Sequence, residues 1–217
     1  MSDVSSERKI LHLTSLSQYE AAVFHSIKLP GHAEVSLVPI GPWIFAQPQV
    51  IREMTKWRAN ARTMFFAQFP ESVATMSEYL SFTKIETTES VLFLIDGKQH
   101  GFLGHLGLKN ISGKSAEIDS VMRGSITPTP QLMFSALYEL IRWSTETLHV
   151  RRLSLNVVSY NTRAIALYSR LGFECVGEIP LFRVSDQDYV WHHQTESDRA
   201  NVDYRCVVME KRMKSTL

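Results

Sequence analysis

Asn161-Thr162-Arg163-Ala164-Ile165-Ala166-Leu167-Tyr168-Ser169-Arg170-Leu171-Gly172-Phe173, coming directly after the apolar run Leu153-Ser154-Leu155-Asn156-Val157-Val158, decides how this chain folds. Leu153, Leu155 and Val157 alternate as a half-buried strand does, whereas Ala164, Leu167, Tyr168 and Leu171 recur at helical spacing, so the period changes near Asn161. The side-chain oxygen of Asn161 suits an N-cap, and Gly172 suits the left-handed conformation that ends a helix. The stretch therefore reads as strand, turn, short helix and second strand, with the phenol of Tyr168 beside the crevice between them.

Toward the N-terminus, Gln131 to Leu148 is the best-defined helix, with Met133, Ala136, Leu137, Leu140, Ile141 and Ser144 on one face. Before it, Val91-Leu92-Phe93-Leu94-Ile95 reads as a buried strand, Asp96-Gly97 as a hairpin turn and Gly101 to Leu108 as the antiparallel partner. Ser112-Gly113-Lys114 turns the chain again into Ala116-Glu117-Ile118-Asp119-Ser120-Val121. Helices are expected over Gln49 to Met64, where Val50, Met54, Trp57 and Ala61 fall at helical spacing, and over Glu71 to Phe82. Val35 to Ile40 reads as a strand that lies at an edge or ends at Pro39, which cannot donate to a ladder. Ile10-Leu11-His12-Leu13 reads as a short strand and Gln18 to Ile27 as a short helix, ended near Leu29-Pro30-Gly31. Beyond the Tyr168 helix the expectation is a strand from Glu174 to Glu178, a polar and aromatic excursion from Arg183 to Asn201, and a last strand from Tyr204 to Met209. The elements define an α/β (α+β) chain with a mixed, mainly antiparallel sheet flanked by helices.

Composition narrows the class. The chain has 217 residues, 44% of them hydrophobic and 21% charged, enough for one domain with a sizeable core. A formal charge of +1 argues against a broad nucleic-acid surface, which needs clustered Lys and Arg. Cys175 and Cys206 lack metal-ligand spacing, so neither zinc nor a disulfide framework is expected, and both read as buried strand residues. The first residues lack an apolar signal core and no long apolar run follows, so the cytoplasm, not a membrane, is the expected location.

The spacing N-x-x-A-x-x-L-Y-x-x-x-G-F after an apolar strand resembles the C-terminal, acyl-CoA-binding half of the GNAT superfamily of N-acetyltransferases. The resemblance covers about residues 35–213 and is strongest over 90–178. It implies an N-terminal extension over residues 1–33 and an acetyltransferase domain over 34–217. It also implies an acyl-CoA crevice between central splayed strands, with acetyl-CoA as co-substrate and no metal.

Acetyl transfer to an amine needs a deprotonated amine, a polarised thioester carbonyl and a proton for the departing thiolate. In the resembling family a tyrosine at the position of Tyr168 lies near the sulfur, and a phenol of pKa about 10 still carries its proton when the thiolate leaves; alternatively Tyr168 only packs. Glu117 and Asp119 share one face of their strand, so either is a candidate to take the ammonium proton, or both are simply paired by cations. His105 on the neighbouring strand is the other candidate base.

The cofactor's pyrophosphate is expected at the N-terminus of the Gln131 helix, contacted by Gln131, Leu132 and Met133, with Val121, Arg123, Asn161 and Tyr168 completing the cofactor site. Here the chain departs from the family. The familiar Arg/Gln-x-x-Gly-x-Gly/Ala loop should fall at Pro128-Thr129-Pro130-Gln131-Leu132-Met133, which has no glycine, so Arg123 or Thr129 is expected to supply a phosphate contact.

Trp57, Arg58 and Arg62 lie where this superfamily usually walls its acceptor pocket. They look like a stacking surface and phosphate contacts for a nucleotide-linked amino sugar, or else like a core tryptophan with solvated arginines. Trp191-His192-His193 falls in the late excursion and edges the same pocket. The reading is acetyl transfer to a primary amine of a small molecule, with a protein amine or a non-catalytic acyl-CoA-binding domain as alternatives. The expected partners are that amine and, in the assembled protein, a second copy in a homodimer; nucleic acid and membrane are not expected.

Overall fold

The structure is a computed structural model in which residues 4–32, 34–124 and 131–213 are described. Its first half contains helix α1 (Val4–Thr14), helix α2 (Tyr19–Phe24), strands β1 (Ile27–Lys28) and β2 (Ser36–Pro39), helix α3 (Pro48–Asn60), strand β3 (Ala67–Gln68) and helix α4 (Val73–Thr83). Strands β4 (Val91–Asp96), β5 (Phe102–Ser112) and β6 (Ser115–Arg123) follow, then helix α5 (Leu132–Thr147), strand β7 (Arg152–Val158) and helix α6 (Thr162–Arg170). Strands β8 (Glu174–Asp186), β9 (Tyr189–Gln194) and β10 (Arg205–Arg212) complete the chain.

The strands lie in the order β1-β2-β4-β5-β6-β7-β10-β8-β9-β3. Every neighbouring pair is antiparallel except β6 and β7, which run parallel. This is the mixed, mainly antiparallel sheet that the sequence implied. Helices cover both faces, and β4 shows why the apolar run Val91 to Ile95 does not alternate with polar residues. Val91, Phe93 and Ile95 pack into one apolar cluster with Leu132, Ala136, Leu137 and Leu140 of α5, while Leu92 and Leu94 pack into the other with Val50, Met54 and Trp57 of α3. Burying a leucine side chain fully is worth about 1.5–3 kcal/mol, so a strand apolar on both faces is what a helix layer on each side requires. No helix among the described residues is long and apolar enough to cross a membrane.

Four local expectations are corrected. Ile10 to Leu13 is not a strand but part of α1, whose buried Ser6, Ile10 and Leu13 lie at helical spacing; a short apolar run alone does not separate the two periods. The excursion from Arg183 to Asn201 is largely regular, because β8 runs on to Asp186 and pairs with β9 as a hairpin that sets Val184 opposite Trp191 and Asp186 opposite Tyr189. The Asp96-Gly97 turn is longer than a two-residue hairpin loop, with a 3₁₀ turn over Lys98–His100 and Gly101 at φ 68. Cys206 is buried but Cys175 is exposed.

Candidate active site

Strands β6 and β7 pair only from Ser115 opposite Arg152 to Glu117 opposite Ser154. Past that point they diverge. Residues of β6 after Glu117 have no ladder partner on β7 among the described residues, so their main-chain groups on that side border a cleft. A bulge sharpens the divergence: the β5–β6 register shifts between His105 and Gly107, and Ser120 sits at φ 53. That conformation costs a non-glycine residue about 1–2 kcal/mol. Three groups hold it. His105 Nδ1 lies 2.7 Å from the Ser120 carbonyl, Ser120 Oγ donates to Asp119 Oδ2 at 2.8 Å, and Tyr79 Oη lies 2.7 Å from Ser120 Oγ. The serine has only one proton to give, so the Tyr79 hydroxyl must be the donor to it. A carbonyl only accepts, so His105 carries its proton on Nδ1.

Helix α6 forms the facing wall. The Asn161 side chain accepts from the Ala164 N–H at 3.3 Å, as the sequence required, and the far end closes with Gly172 at φ 83 and Lys211 Nζ donating to the Leu171 carbonyl at 2.7 Å. Between the walls lies a cavity of about 950 Å³. Tyr168, Glu117, Asp119, Val121, Arg123, Met133 and Asn161 all line it. Tyr168 is 8% exposed, and its hydroxyl has no hydrogen-bond partner among the described residues. Burial, then the nearby charge of Asp119, holds this phenol above its ordinary pKa, so it stays protonated.

The other expected residues lie elsewhere. Trp57 is 3% exposed, packed in the core with its ring centroid 6.2 Å from that of His105, and presents no stacking face to the cleft. Arg58 donates to the Ala67 carbonyl at 2.8 Å and lies over the rings of Phe65 and Phe69. Arg62 donates to the Asp188 carbonyl and pairs with Glu71 at 3.3 Å. His105 is buried beneath the bulge; burial lowers its pKa to about 4, against the pull of its Ser120 contact, so near neutral pH it is an uncharged scaffold group. Leu132 is in the core, while the Gln131 side chain accepts from Arg170 at 3.2 Å. The first half of the glycine-poor stretch, with Thr129, lies outside the described residues. Of the Trp191 to His193 group, His192 reaches the cavity, with Nδ1 2.9 Å from the Phe66 carbonyl and Nε2 2.7 Å from Tyr204 Oη, whereas Trp191 stacks on Tyr189 at the surface.

The structure also adds residues. Lys84 Nζ lies 2.7 Å from Asp119 Oδ2, and Lys109 Nζ lies 3.5 Å from Asp119 and 3.2 Å from Glu117. Asn110 and Asn156 donate to Glu117 at 3.0 and 3.1 Å. Burial would raise Asp119, but Lys84 and Lys109 outweigh it and hold the carboxyl at about 2. Asp119 is therefore a weak proton acceptor. Counting back from the turn at Ser112 and Ser115 sets Asn110, not Lys109, opposite Glu117; the register shift between Lys109 and Ser112 brings Lys109 there, so the sequence alone did not place it.

A sequence profile of the acetyltransferase (GNAT) domain matches residues 46–174, and the chain belongs to this family. It is an acyl-CoA-dependent N-acetyltransferase that uses acetyl-CoA as co-substrate. No curated protein matches it by sequence. Among solved structures, a spermidine N-acetyltransferase from Vibrio cholerae in complex with CoA and spermine superposes with a TM-score of 0.62 at 15% identity, covering 82% of this chain and 95% of that one. A probable GNAT acetyltransferase from Chromobacterium violaceum gives a TM-score of 0.59 at 19% identity over 86% and 94% of the two chains. The microcin C7 self-immunity acetyltransferase, in complex with acetyl-CoA and AMP, gives 0.61 at 14% identity over 83% and 93%. At these identities the likeness is one of fold.

Proposed function

We propose that the cleft between β6 and β7 transfers the acetyl group of acetyl-CoA to a primary amine of a small molecule, and that Tyr168 is its acid. The observation that carries this reading is the Tyr168 hydroxyl, which lines the split between the two strands without a hydrogen-bond partner among the described residues. Acetyl-CoA supplies the activated acyl group. The unladdered main chain around Val121 gives the cofactor's arm a polar surface to lie along, and Arg123, Met133 and Asn161 border the same cavity. The first turn of α5 favours the pyrophosphate through its main-chain N–H groups and dipole. Tyr168 holds a proton at Oη for the departing thiolate, and burial keeps that proton in place until it is needed. Glu117 is our candidate to receive the proton of the attacking ammonium, since it lines the cavity and Asp119 is held too acidic.

For the acceptor we retain a nucleotide-linked amino sugar, on different residues from those that first suggested it. Trp57, Arg58 and Arg62 have internal partners, but Phe65, Phe66 and Tyr160 line the acceptor end and offer flat faces for a sugar or a base. We take residues 34–217 as the transferase domain and residues 1–33 as an extension, whose helix α1 packs Ile10 and Leu13 on the core. Calorimetry with acetyl-CoA, followed by thiol release in the presence of single amines, tests the reading. Binding together with amine-dependent thiol release is expected; absence of binding at millimolar acetyl-CoA overturns it.

A further inference from the structure

The acceptor end of the cavity contains an ammonium of its own. Glu117 and Asp119 face it from adjacent same-side positions of β6, and Lys109 reaches across from β5 to both carboxylates, 3.2 Å from one and 3.5 Å from the other, while its side chain is still 39% exposed. The buried Lys84 neutralises Asp119 from the other side at 2.7 Å. Two carboxylates therefore meet two ammonium groups, and the local charge is balanced before any acceptor enters.

Hydrogen-bonding capacity leads to the same result. An ionised carboxylate offers about four acceptor positions. Glu117 uses three of them, for Lys109, Asn110 and Asn156, and Asp119 uses three, for Lys84, Lys109 and Ser120. One position remains on each; the one on Glu117 suits one incoming amine, and the one on Asp119 belongs to a carboxylate that Lys84 and Lys109 already compensate. A second ammonium on the same molecule would find no uncompensated carboxylate, and it would meet Lys109 at short range in a partly dehydrated cavity, where like charges repel more strongly than in water.

Resting on the acceptor reading above, we propose that Lys109 is a specificity-determining residue which fills the Glu117/Asp119 pair and so restricts the acceptor to amines with no second positive charge, neutral or anionic elsewhere in the molecule. The selection works by occupancy and not by shape. Long polyamines are excluded although the fold accommodates a cleft of sufficient size, and an amine attached to a sugar or a phosphate is admitted.

The test is calorimetry of spermidine, and separately of glucosamine and a nucleotide-linked amino sugar, on the full chain loaded with CoA, which cannot react, with thiol release from acetyl-CoA measured separately for each. The wild type is expected to favour the single-amine compounds over spermidine by at least about tenfold in apparent affinity, the ordinary return on one charged contact. Lys109→Met should reduce that preference about tenfold, by strengthening spermidine binding; Lys109→Arg keeps the charge and should retain the preference. If Lys109→Met loses its fold, Lys109→Gln provides the same reading, with circular dichroism as the check. Spermidine binding by the wild type as tight as that of the single amines overturns the proposal, as does an unchanged ratio in a folded Lys109→Met or Lys109→Gln. Acetyl-CoA binding without thiol release to any amine, and without binding of any, overturns the acceptor reading and the proposal with it.

Discussion

The two walls of the cleft are built in opposite ways. The β6 wall is a fixed array of charge and hydrogen bonds in which Lys84, Lys109, Glu117, Asp119, Ser120, Tyr79 and His105 all have partners. The α6 wall presents one phenol that has no hydrogen-bond partner among the described residues, on a helix capped at both ends. One wall holds its shape through ion pairs and hydrogen bonds; among the described residues, the other leaves the Tyr168 hydroxyl without a partner. The comparison teaches that the partners of the β6 wall set its geometry and charge, with Glu117 our proposed base among them, whereas the proposed acid on the facing wall is a hydroxyl that the described residues leave idle. A hydroxyl already bound to protein would have to break that bond before it could give its proton away.

Tyr168→Phe tests the idle wall and should have the largest effect. Turnover should fall about a hundredfold or more, the ordinary scale of general-acid catalysis, with the apparent affinity for acetyl-CoA changed less than about twofold and the melting temperature nearly unchanged. Thiol-release kinetics decide the matter, and turnover within twofold of wild type would move the acid elsewhere. Lys84→Met breaks the crowded wall. It leaves Asp119 ionised and largely desolvated, with the longer Lys109 contact, the Ser120 hydroxyl and the charge of Arg58 to compensate it, which should cost about 3 kcal/mol in urea unfolding, and adding Asp119→Asn should restore part of the loss. Equal stability of the single and double variants would mean that the pair does not hold the bulge.

A smaller effect sharpens the contrast through pH. The folded-state pKa of His105, about 4, lies below the ordinary 6.5, so as the pH falls through that window the unfolded chain takes up the proton first. Stability from this group is present in full above about pH 6.5 and is lost toward pH 4; by linkage the loss between pH 7 and 5 is about 2 kcal/mol. Asp119 acts lower: with a folded value of about 2 against 3.8, its contribution is present above about pH 4 and disappears only as the pH falls toward 2. Urea unfolding at pH 7 and pH 5 should show the decline in the wild type and a flatter dependence in His105→Asn, which keeps a donor for the Ser120 carbonyl. The same slope in both proteins would remove His105 from the account.

The α6 wall was legible because its signals are local. Asn161, the helical stripe through Tyr168, and Gly172 fall within a dozen residues of one another, and each acts on its immediate neighbours. The β6 wall depends on distant contacts: Lys84 is 35 residues from Asp119 and Tyr79 is 41 from Ser120, and no pattern within one strand announces either. Trp57 shows a different limit. The stripe Val50, Met54, Trp57 that identified α3 is the face α3 buries, so the regularity that revealed the helix also excluded Trp57 from the cleft. The β8–β9 hairpin escaped notice because its two-residue turn, Gln187-Asp188, lacks the Asn-Gly or Asp-Gly signature even though Gln187 adopts φ 49.

The short pairing of Ala67 and Gln68 with Trp191 and Val190 also has a consequence in time. The Phe66 carbonyl and the His192 ring that meets it are 126 residues apart in the chain. At about 5–20 residues per second, roughly 6–25 s of synthesis separate the two sides of that junction, while β4 and β5 are joined by a short turn and have each other within about a second. The junction of β3 with β9 is thus a seam in the cavity wall, closed only after residue 192 has left the ribosome. Until then the cavity lacks the part of its wall that Phe66 and His192 supply.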